Sequence, residues 1–300
     1  AHRNIAKFHE AQQFESHKIE TCEGVECWQK SVAIEKVGLY IPGGTAPLFS
    51  TVLMLATPAK IAGCRQIVLC TPPNREGKVN QYVMAAKQLV SLHDTAIDMP
   101  AGPSEVCVVA DASSDAEFVA ADLLSQAEHG IDSQVFLITT SEEMLQKVTE
   151  QVDVQLAALP RKEIAQQSLN NSIFVLVRDE AEAMDLSNAY APEHLIIATS
   201  DYERLAEKVV NAGSVFLGRW ACESAGDYAS GTNHTLPTHQ YALAYNGVNL
   251  DSFNRKITFQ HLSEAGIGSI GHAVACMAEN EQLEAHAQAM RIRMSKLGRR

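Results

Sequence analysis

Short, continuously apolar segments alternate with longer amphipathic segments over most of the chain, and this alternation constrains the fold more than any other feature. Strands that are apolar at every position are typical of parallel sheets covered on both faces. Parallel strands need crossover helices, so the pattern predicts βαβ units and an α/β fold with doubly wound sheets. The strands are predicted at 37–41, 66–70, 106–110, 135–140, 173–177, 195–199 and 215–217.

Amphipathic segments predict helices between these strands, at 115–128, 141–158, 180–188 and 202–211. Two of the helices begin at sequences typical of a capping box, Thr140-x-x-Glu143 and Ser200-x-x-Glu203. From about Phe259 the sequence becomes Ala-rich and mostly helical, which predicts a separate helical tail.

Composition and charge exclude several classes of protein. The longest apolar runs, such as 52–56, are far too short to span a bilayer, and no signal peptide is recognisable. A formal net charge of −12 with no basic cluster argues against a nucleic-acid partner. The seven cysteines are odd in number and include no Cys-x-x-Cys pair, which favours a reducing, cytoplasmic location.

A polar segment at 223–234 has no helical or strand period and is predicted to be a loop. Gly226 and Gly231 suit tight turns or a close approach to a ligand. Asp227, Asn233 and His234 would be costly to bury without partners. The segment is either an ordinary surface loop or part of a binding site.

Two pairs of side chains are candidates for chemistry. Gln126 and His129 are three residues apart at the predicted end of a helix, before Gly130, so both can point at one spot. The alternative is an ordinary polar last turn. Glu193 and His194 are adjacent at a strand's start and can serve as an acid–base pair, or can simply form a polar strand edge.

Weaker candidates lie elsewhere in the chain. Ser104 follows a Gly-Pro turn that leads into a strand. His286 and Glu281 lie in the tail, where a histidine is most often a surface or interface residue. A glycine turn follows the strand at 37–41 and resembles the ligand edge of an α/β sheet. Neither Gly-x-Gly-x-x-Gly nor a Walker-type sequence is present, so general nucleotide-binding signals are weak.

Taken together and in this order, these segments resemble histidinol dehydrogenases over nearly the whole chain. The matching strings are Val-Gly-Leu-Tyr-Ile-Pro-Gly-Gly (37–44), Ile-Asp-Met-Pro-Ala-Gly-Pro-Ser-Glu (97–105), Asp-Leu-Leu-Ser-Gln-Ala-Glu-His-Gly (122–130), Pro-Glu-His-Leu (192–195), Ser-Ala-Gly-Asp-Tyr-Ala-Ser-Gly-Thr-Asn-His (224–234) and the tail histidine.

The resemblance implies two Rossmann-like domains, the second incomplete, with a helical C-terminal tail, and oxidation of L-histidinol to L-histidine with two NAD⁺. It implies one zinc ion per subunit, bound by Gln126, His129, Asp227 and, across a homodimer, the partner subunit's His286. Glu193 and His194 are the implied acid–base residues. The implied substrate contacts are Ser104, Gln126, His129, His194, Asp227, His234, Glu281 and His286, and the implied cofactor contacts are Tyr40 and Asn80.

The same resemblance divides the chain into a substrate and zinc domain (1–39 with 105–250), an NAD-binding domain (40–104) and a dimerisation tail (251–300). A few dozen residues that the family carries between about Val79 and Gln81 are absent, among them turns that contact NAD. Asn80 corresponds either to the asparagine of one such turn or to the asparagine that precedes the segment. Without this segment, zinc and histidinol binding are expected to survive and NAD-dependent turnover to fail.

Two other classes of protein are compatible with these residues. One is a zinc hydrolase with Glu193 as the base, although no His-Glu-x-x-His is present. The other is a two-lobed small-molecule binding protein, which needs no catalytic pair.

Overall fold

The computed structural model describes residues 1–41, 49–70 and 102–298. These residues form two compact units, one from 1–12 and 35–253 and the other from 13–34 and 254 onwards. The α/β class, the parallel sheets and the helical C-terminal end are as predicted. The elements are α1 (His2–Glu10), β1 (Ile19–Cys22), β2 (Val25–Ala33), β3 (Lys36–Tyr40), α2 (Phe49–Ala62), β4 (Gln66–Cys70), β5 (Glu105–Ala110), α3 (Ala116–Ala127), β6 (Gln134–Thr139), α4 (Glu142–Ala158), α5 (Lys162–Leu169), β7 (Ile173–Leu176), α6 (Glu180–Tyr190), β8 (His194–Ile197), α7 (Tyr202–Ala206), β9 (Ser214–Leu217), α8 (Glu223–Tyr228), β10 (Asn254–Leu262), α9 (Glu264–Asn280) and α10 (Glu284–Met294), with short 3₁₀ turns at Tyr241–Leu243 and Leu250–Phe253.

The first unit is built around a five-stranded parallel sheet of order β7-β6-β5-β8-β9. The chain leaves β5 first towards β7 and then returns to add β8 and β9 on the other side, which is doubly wound topology. Because successive side chains point to opposite faces, Val106 and Val108 enter one apolar cluster while Cys107 and Val109 enter the other. Both faces are therefore covered, as the continuous apolar runs predicted.

A second parallel pair, β3 and β4, lies in the same unit with α2. Leu39, Leu55 and Phe253 contribute to its apolar cluster, and Tyr40 at the end of β3 is about half exposed. Positions 42–48 and 71–101, which include Asn80 and most of the predicted NAD-binding domain, lie outside the described residues.

The second unit combines an antiparallel sheet, β1-β2-β10, with the two C-terminal helices. The predicted start of the helical tail near Phe259 is wrong, because Phe259 lies in β10 and stacks on Trp28 of β2, with ring centroids 5.5 Å apart. Helix begins only at Glu264. These strands carry no continuous apolar run, so the pattern used for the parallel strands missed them.

Helix ends differ from the predicted ones in three places. Ser141, not Thr140, caps α4 by accepting a hydrogen bond from the Met144 N–H at 3.2 Å. Asp201 precedes α7 without a side-chain cap, so the Ser200 capping box is also wrong. Helix α3 ends at Ala127, before the predicted stop at Gly130. Across the described ranges, no helix is long and apolar enough to cross a membrane.

Candidate active site

Glu193 and His194 lie at the amino end of β8, where the main chain of the neighbouring strand holds both side chains. The Glu105 N–H donates to Glu193 Oε2 at 3.0 Å, and the Glu105 carbonyl accepts from His194 Nδ1 at 3.1 Å. The two bonds follow from the pairing of β5 with β8, in which Val106 lies opposite His194. Because Nδ1 carries the proton in this arrangement, Nε2 is the basic nitrogen of the ring.

The electrostatic surroundings shift the titration of both groups. Burial raises the pKa of Glu193 to about 7. Burial alone would lower the pKa of His194, but the nearby carboxylates of Asp227 and Glu193 raise it to about 10. His194 Nε2 lies 3.6 Å from Asp227 Oδ1, and Nδ1 lies 3.7 Å from Glu193 Oε2.

Helix α8 brings two carboxylates to this pair. Glu223 and Asp227 are buried and four residues apart, so they lie on one face of the helix. The prediction of an irregular loop at 223–234 is therefore wrong for its first half. Gly226 allows the short helix to pack tightly, because a Cβ at this position would lie 2.5 Å from the Phe216 ring.

The end of α3 meets α8 from the other side. Glu223 presents acceptor oxygens to the fully buried Gln126 amide, which assigns the amide nitrogen to that side, 2.8 Å from Oε1 and 3.2 Å from Oε2. His129, Glu223 and Asp227 offer ligand atoms within 4.8 Å of one another. His129 is exposed on one side, but desolvation by the groups around its ring lowers its pKa, which favours the neutral imidazole that binds metals. The site also lies at a helix C-terminus, whose dipole favours a cation.

His234 completes the group. Its neighbour Asn233 is anchored by donating to the Met54 carbonyl of α2 at 2.7 Å. Burial lowers the pKa of His234, and the charges of Asp227, His194 and His129 also act on it. Among the described residues, the buried Nε2 atoms of both His234 and His194 find no hydrogen-bond partner. Both atoms are therefore available to a ligand, which would satisfy them.

The structure therefore brings six of the predicted site residues together in the first unit. Ser104 lies directly before β5 and is partly buried, and its carbonyl accepts from the Gln134 N–H at 3.1 Å. Glu281 and His286 belong to the second unit, where both are exposed. The residues brought together are Gln126, His129, Glu193, His194, Asp227 and His234.

Two residues of the site were missed from the sequence. Glu223 precedes Asp227 by four positions, a spacing that has meaning only once a helix is recognised there. Glu105 was included in the turn before β5, yet its main chain holds the acid–base pair and its side chain accepts from the His239 N–H at 3.0 Å.

Comparison with known proteins gives a consistent result. The family model for histidinol dehydrogenase matches residues 1–81 and 77–294, two pieces that meet where the absent segment is predicted. Histidinol dehydrogenase of Bacteroides fragilis is 57% identical over 342 residues, 42 more than this chain contains, covering 99% of this chain and 80% of the relative. That of Vibrio parahaemolyticus is 47% identical, covering 99% and 79%.

A solved structure agrees with these sequences. The crystal structure of histidinol dehydrogenase from Elizabethkingia anophelis superposes with a TM-score of 0.95 at 49% identity, covering 99% of this chain and 79% of that one. These matches favour the dehydrogenase over the hydrolase and the binding protein. The chain belongs to the histidinol dehydrogenase family, whose members are NAD-dependent oxidoreductases that catalyse the final step of histidine biosynthesis.

Proposed function

We propose that the chain oxidises L-histidinol to L-histidine through histidinal, with the reduction of two NAD⁺. The observation that carries this proposal is the buried Glu193–His194 pair next to the cluster of His129, Glu223 and Asp227. Each oxidation removes a hydride from the same carbon and a proton from oxygen. Addition of water to the aldehyde between the two steps supplies the second oxygen of the carboxylate product.

The donor atoms of the site fit a zinc ion. The ligands in this proposal are the Gln126 amide oxygen, the His129 imidazole, an Asp227 carboxylate oxygen and the partner subunit's His286. Nitrogen and oxygen ligands of this kind suit zinc, and their closeness at the end of α3 supports the assignment. Zinc would act as a template that orients the imidazole and amine of histidinol. Ser104, His234 and Glu281 would contact the substrate.

His194 is proposed to move the protons of both oxidations. The Glu105 carbonyl fixes the Nδ1–H tautomer, so Nε2 is free to accept the proton of the alcohol and then of the hydrated aldehyde. The imidazolium that forms lies beside Asp227, whose carboxylate stabilises it. The positive charge of a cation bound by Asp227 would offset the carboxylates that raise the pKa of His194, which keeps the ring neutral before the reaction.

Glu193 is proposed to activate the water that hydrates histidinal. Its Oε2 atom is engaged by the Glu105 N–H, so Oε1 is the atom that would take the water proton. A pKa of about 7, raised by burial, lets the carboxylate accept a proton and return it near neutral pH.

The exposed surface of the second unit supports a homodimer. Large apolar side chains are exposed on both its sheet and its helices, as expected of a surface that another subunit covers. These side chains are Ile19, Ile257, Phe259, Met277, Leu283 and Ile292. In this dimer, His286 and Glu281 would each serve the active site of the partner subunit.

NAD binding is assigned to the carboxyl ends of β3 and β4, the usual ligand edge of a parallel sheet. The exposed Tyr40 lies there at the end of β3, and Asn80 is the other proposed contact. All seven cysteines are free, which supports the cytoplasm as the compartment, and the acidic charge supports the absence of a nucleic-acid partner.

The reaction is tested by counting NADH per histidine formed from L-histidinol. The chain is compared with a chimera that carries the Bacteroides fragilis segment inserted between Val79 and Gln81. We expect the chimera to form two NADH per histidine. The chain without the segment should show a much higher KM for NAD⁺ or no turnover. Both proteins should bind histidinol with equal affinity. A chimera that binds zinc and histidinol but forms no NADH would overturn the proposed reaction.

A further inference from the structure

Glu223 has no role in the reaction proposed above, yet it is the most deeply buried carboxylate of the site, with 1% of its surface exposed. Burying a carboxylate is costly unless donors compensate it. Its donor is the Gln126 amide, which places hydrogen bonds on both oxygens at 2.8 and 3.2 Å. A contact of this kind between two buried side chains of α3 and α8 suggests a specific task.

The polarity of the two groups defines that task. An amide has one end that donates and one that accepts, whereas an ionised carboxylate only accepts. Burial raises the pKa of Glu223 to about 8. A cation bound beside Glu223 would favour the ionised carboxylate, which selects the orientation in which the Gln126 nitrogen faces it and the Gln126 oxygen faces away. Only the oxygen of an amide binds a metal ion, so the wrong orientation would present a donor to the cation.

We infer that Glu223 is a positioning residue, which fixes the Gln126 amide so that its oxygen is presented to the cation held with His129 and Asp227. The inference rests on the proposed zinc site. Ligand atoms of Glu223, His129 and Asp227 lie within 4.8 Å of one another, so direct binding of the cation by Glu223 is the competing arrangement.

A double-mutant cycle on zinc affinity distinguishes the two arrangements, with affinity measured by competition against a chelator. Glu223→Gln keeps the shape but can face Gln126 with either end, so we expect about 10–100-fold weaker zinc binding. If Glu223 acts through Gln126, adding Glu223→Gln to Gln126→Ala should cause no further loss. Additive losses, or wild-type affinity in Glu223→Gln, would overturn the inference.

Two further variants separate positioning from general damage to the fold. In the exchanged pair, Gln126→Glu with Glu223→Gln, the glutamine at position 223 can donate to the carboxylate at position 126. Position 126 then carries only acceptor atoms, so either of its oxygens can face the cation. We therefore expect this variant to bind zinc more tightly than Glu223→Gln alone. Weaker binding by the exchanged pair would count against the inference. Glu182→Gln, at a half-buried carboxylate of α6 that pairs with Arg178 away from the site, is the control and should leave zinc affinity unchanged.

The visible spectrum of the cobalt-substituted protein provides a readout independent of turnover. Loss of an oxygen ligand in Glu223→Gln should change the d–d bands in the same way as Gln126→Ala, and different changes would contradict the inference. If the unmodified chain binds no zinc, the proposed metal site itself fails. If it binds zinc and the cycle is additive, only the role of Glu223 fails.

Discussion

Replacing Gly226 by alanine should weaken zinc binding, because the glycine is what lets α8 lie against β9. A Cβ at position 226 would lie 2.5 Å from one ring carbon of Phe216 and 2.8 Å from another. Carbon atoms in contact are normally about 3.5–4.0 Å apart, so the helix or the ring must move by about 1 Å. If the helix moves, Asp227 shifts relative to His194. If the Phe216 ring moves, it disturbs the His194 ring, whose centroid lies 6.0 Å away.

The size of the effect follows from opposing contributions. Overpacking costs about 1–3 kcal/mol, and alanine in place of glycine in a helix returns about 1 kcal/mol. The net loss of about 0–2 kcal/mol should lower Tm by no more than about 8 °C in a unit of this size. Metal ligands tolerate errors of only about 0.2 Å, so zinc affinity should fall about 10–100-fold, or roughly 1.4–2.7 kcal/mol.

Chelator competition and thermal unfolding of the metal-free protein measure the two quantities separately. Gly38→Ala is the matched control, because no atom of the described residues lies within 4 Å of a Cβ at that position. Adding Phe216→Leu to Gly226→Ala should relieve the contact and recover part of the zinc affinity. If Gly226→Ala binds zinc as the wild type does and unfolds at the same temperature, then the packing of α8 on Phe216 does not place the ligands.

Three other outcomes are expected. With histidinal supplied directly, Glu193→Gln should be slowed by about 10²–10⁴-fold, and a normal rate of histidinal oxidation by this variant would remove the role of Glu193 with water. His194→Asn should be slowed whether histidinol or histidinal is supplied, because His194 serves both oxidations. Mixing His286→Ala with Gln126→Ala subunits should restore part of the activity, since one hybrid site recovers every ligand, whereas no recovery after verified subunit exchange would place the site within one chain. Burial raises the pKa of Asp122 from 3.8 to about 7, so the folded state holds a proton that the unfolded state releases, and stability should be lost as pH rises from about 4 to 7. Asp122→Asn should remove this part of the pH dependence in chelator-treated protein, and an unchanged unfolding profile would refute it.

The parallel sheet could be predicted from the sequence because its three central strands, β5, β6 and β8, are buried on both faces. Such a strand must be apolar throughout, and β5, with six buried residues in succession, shows this most clearly. The same reasoning fails for β10, a nine-residue strand whose interior residues are all exposed. β10 forms because it pairs with β2 and not because its side chains are buried. Local composition carries little information about which strands pair.

The candidate site was predictable where chemistry coincides with a strand or helix end. Gln126, His129, Glu193 and His194 all lie at such ends, where polar side chains interrupt apolar runs. Helix α8 was not predictable, because six residues that include a glycine provide too little pattern. Its formation depends on tertiary contact with Phe216, and the role of Glu223 depends in turn on that helix.

The attachment of Glu193 and His194 to the main chain of Glu105 makes one amide proton a reporter of the acid–base pair. The Glu105 N–H donates to the Glu193 side chain and not to a strand carbonyl. Its exchange with deuterium therefore requires the hydrogen bond to Glu193 to break. Its neighbours in β5 exchange only when the sheet opens. Comparing the two rates would show how often the pair comes apart while the sheet stays intact, and substrates or inhibitors that engage Glu193 should change the first rate without changing the second.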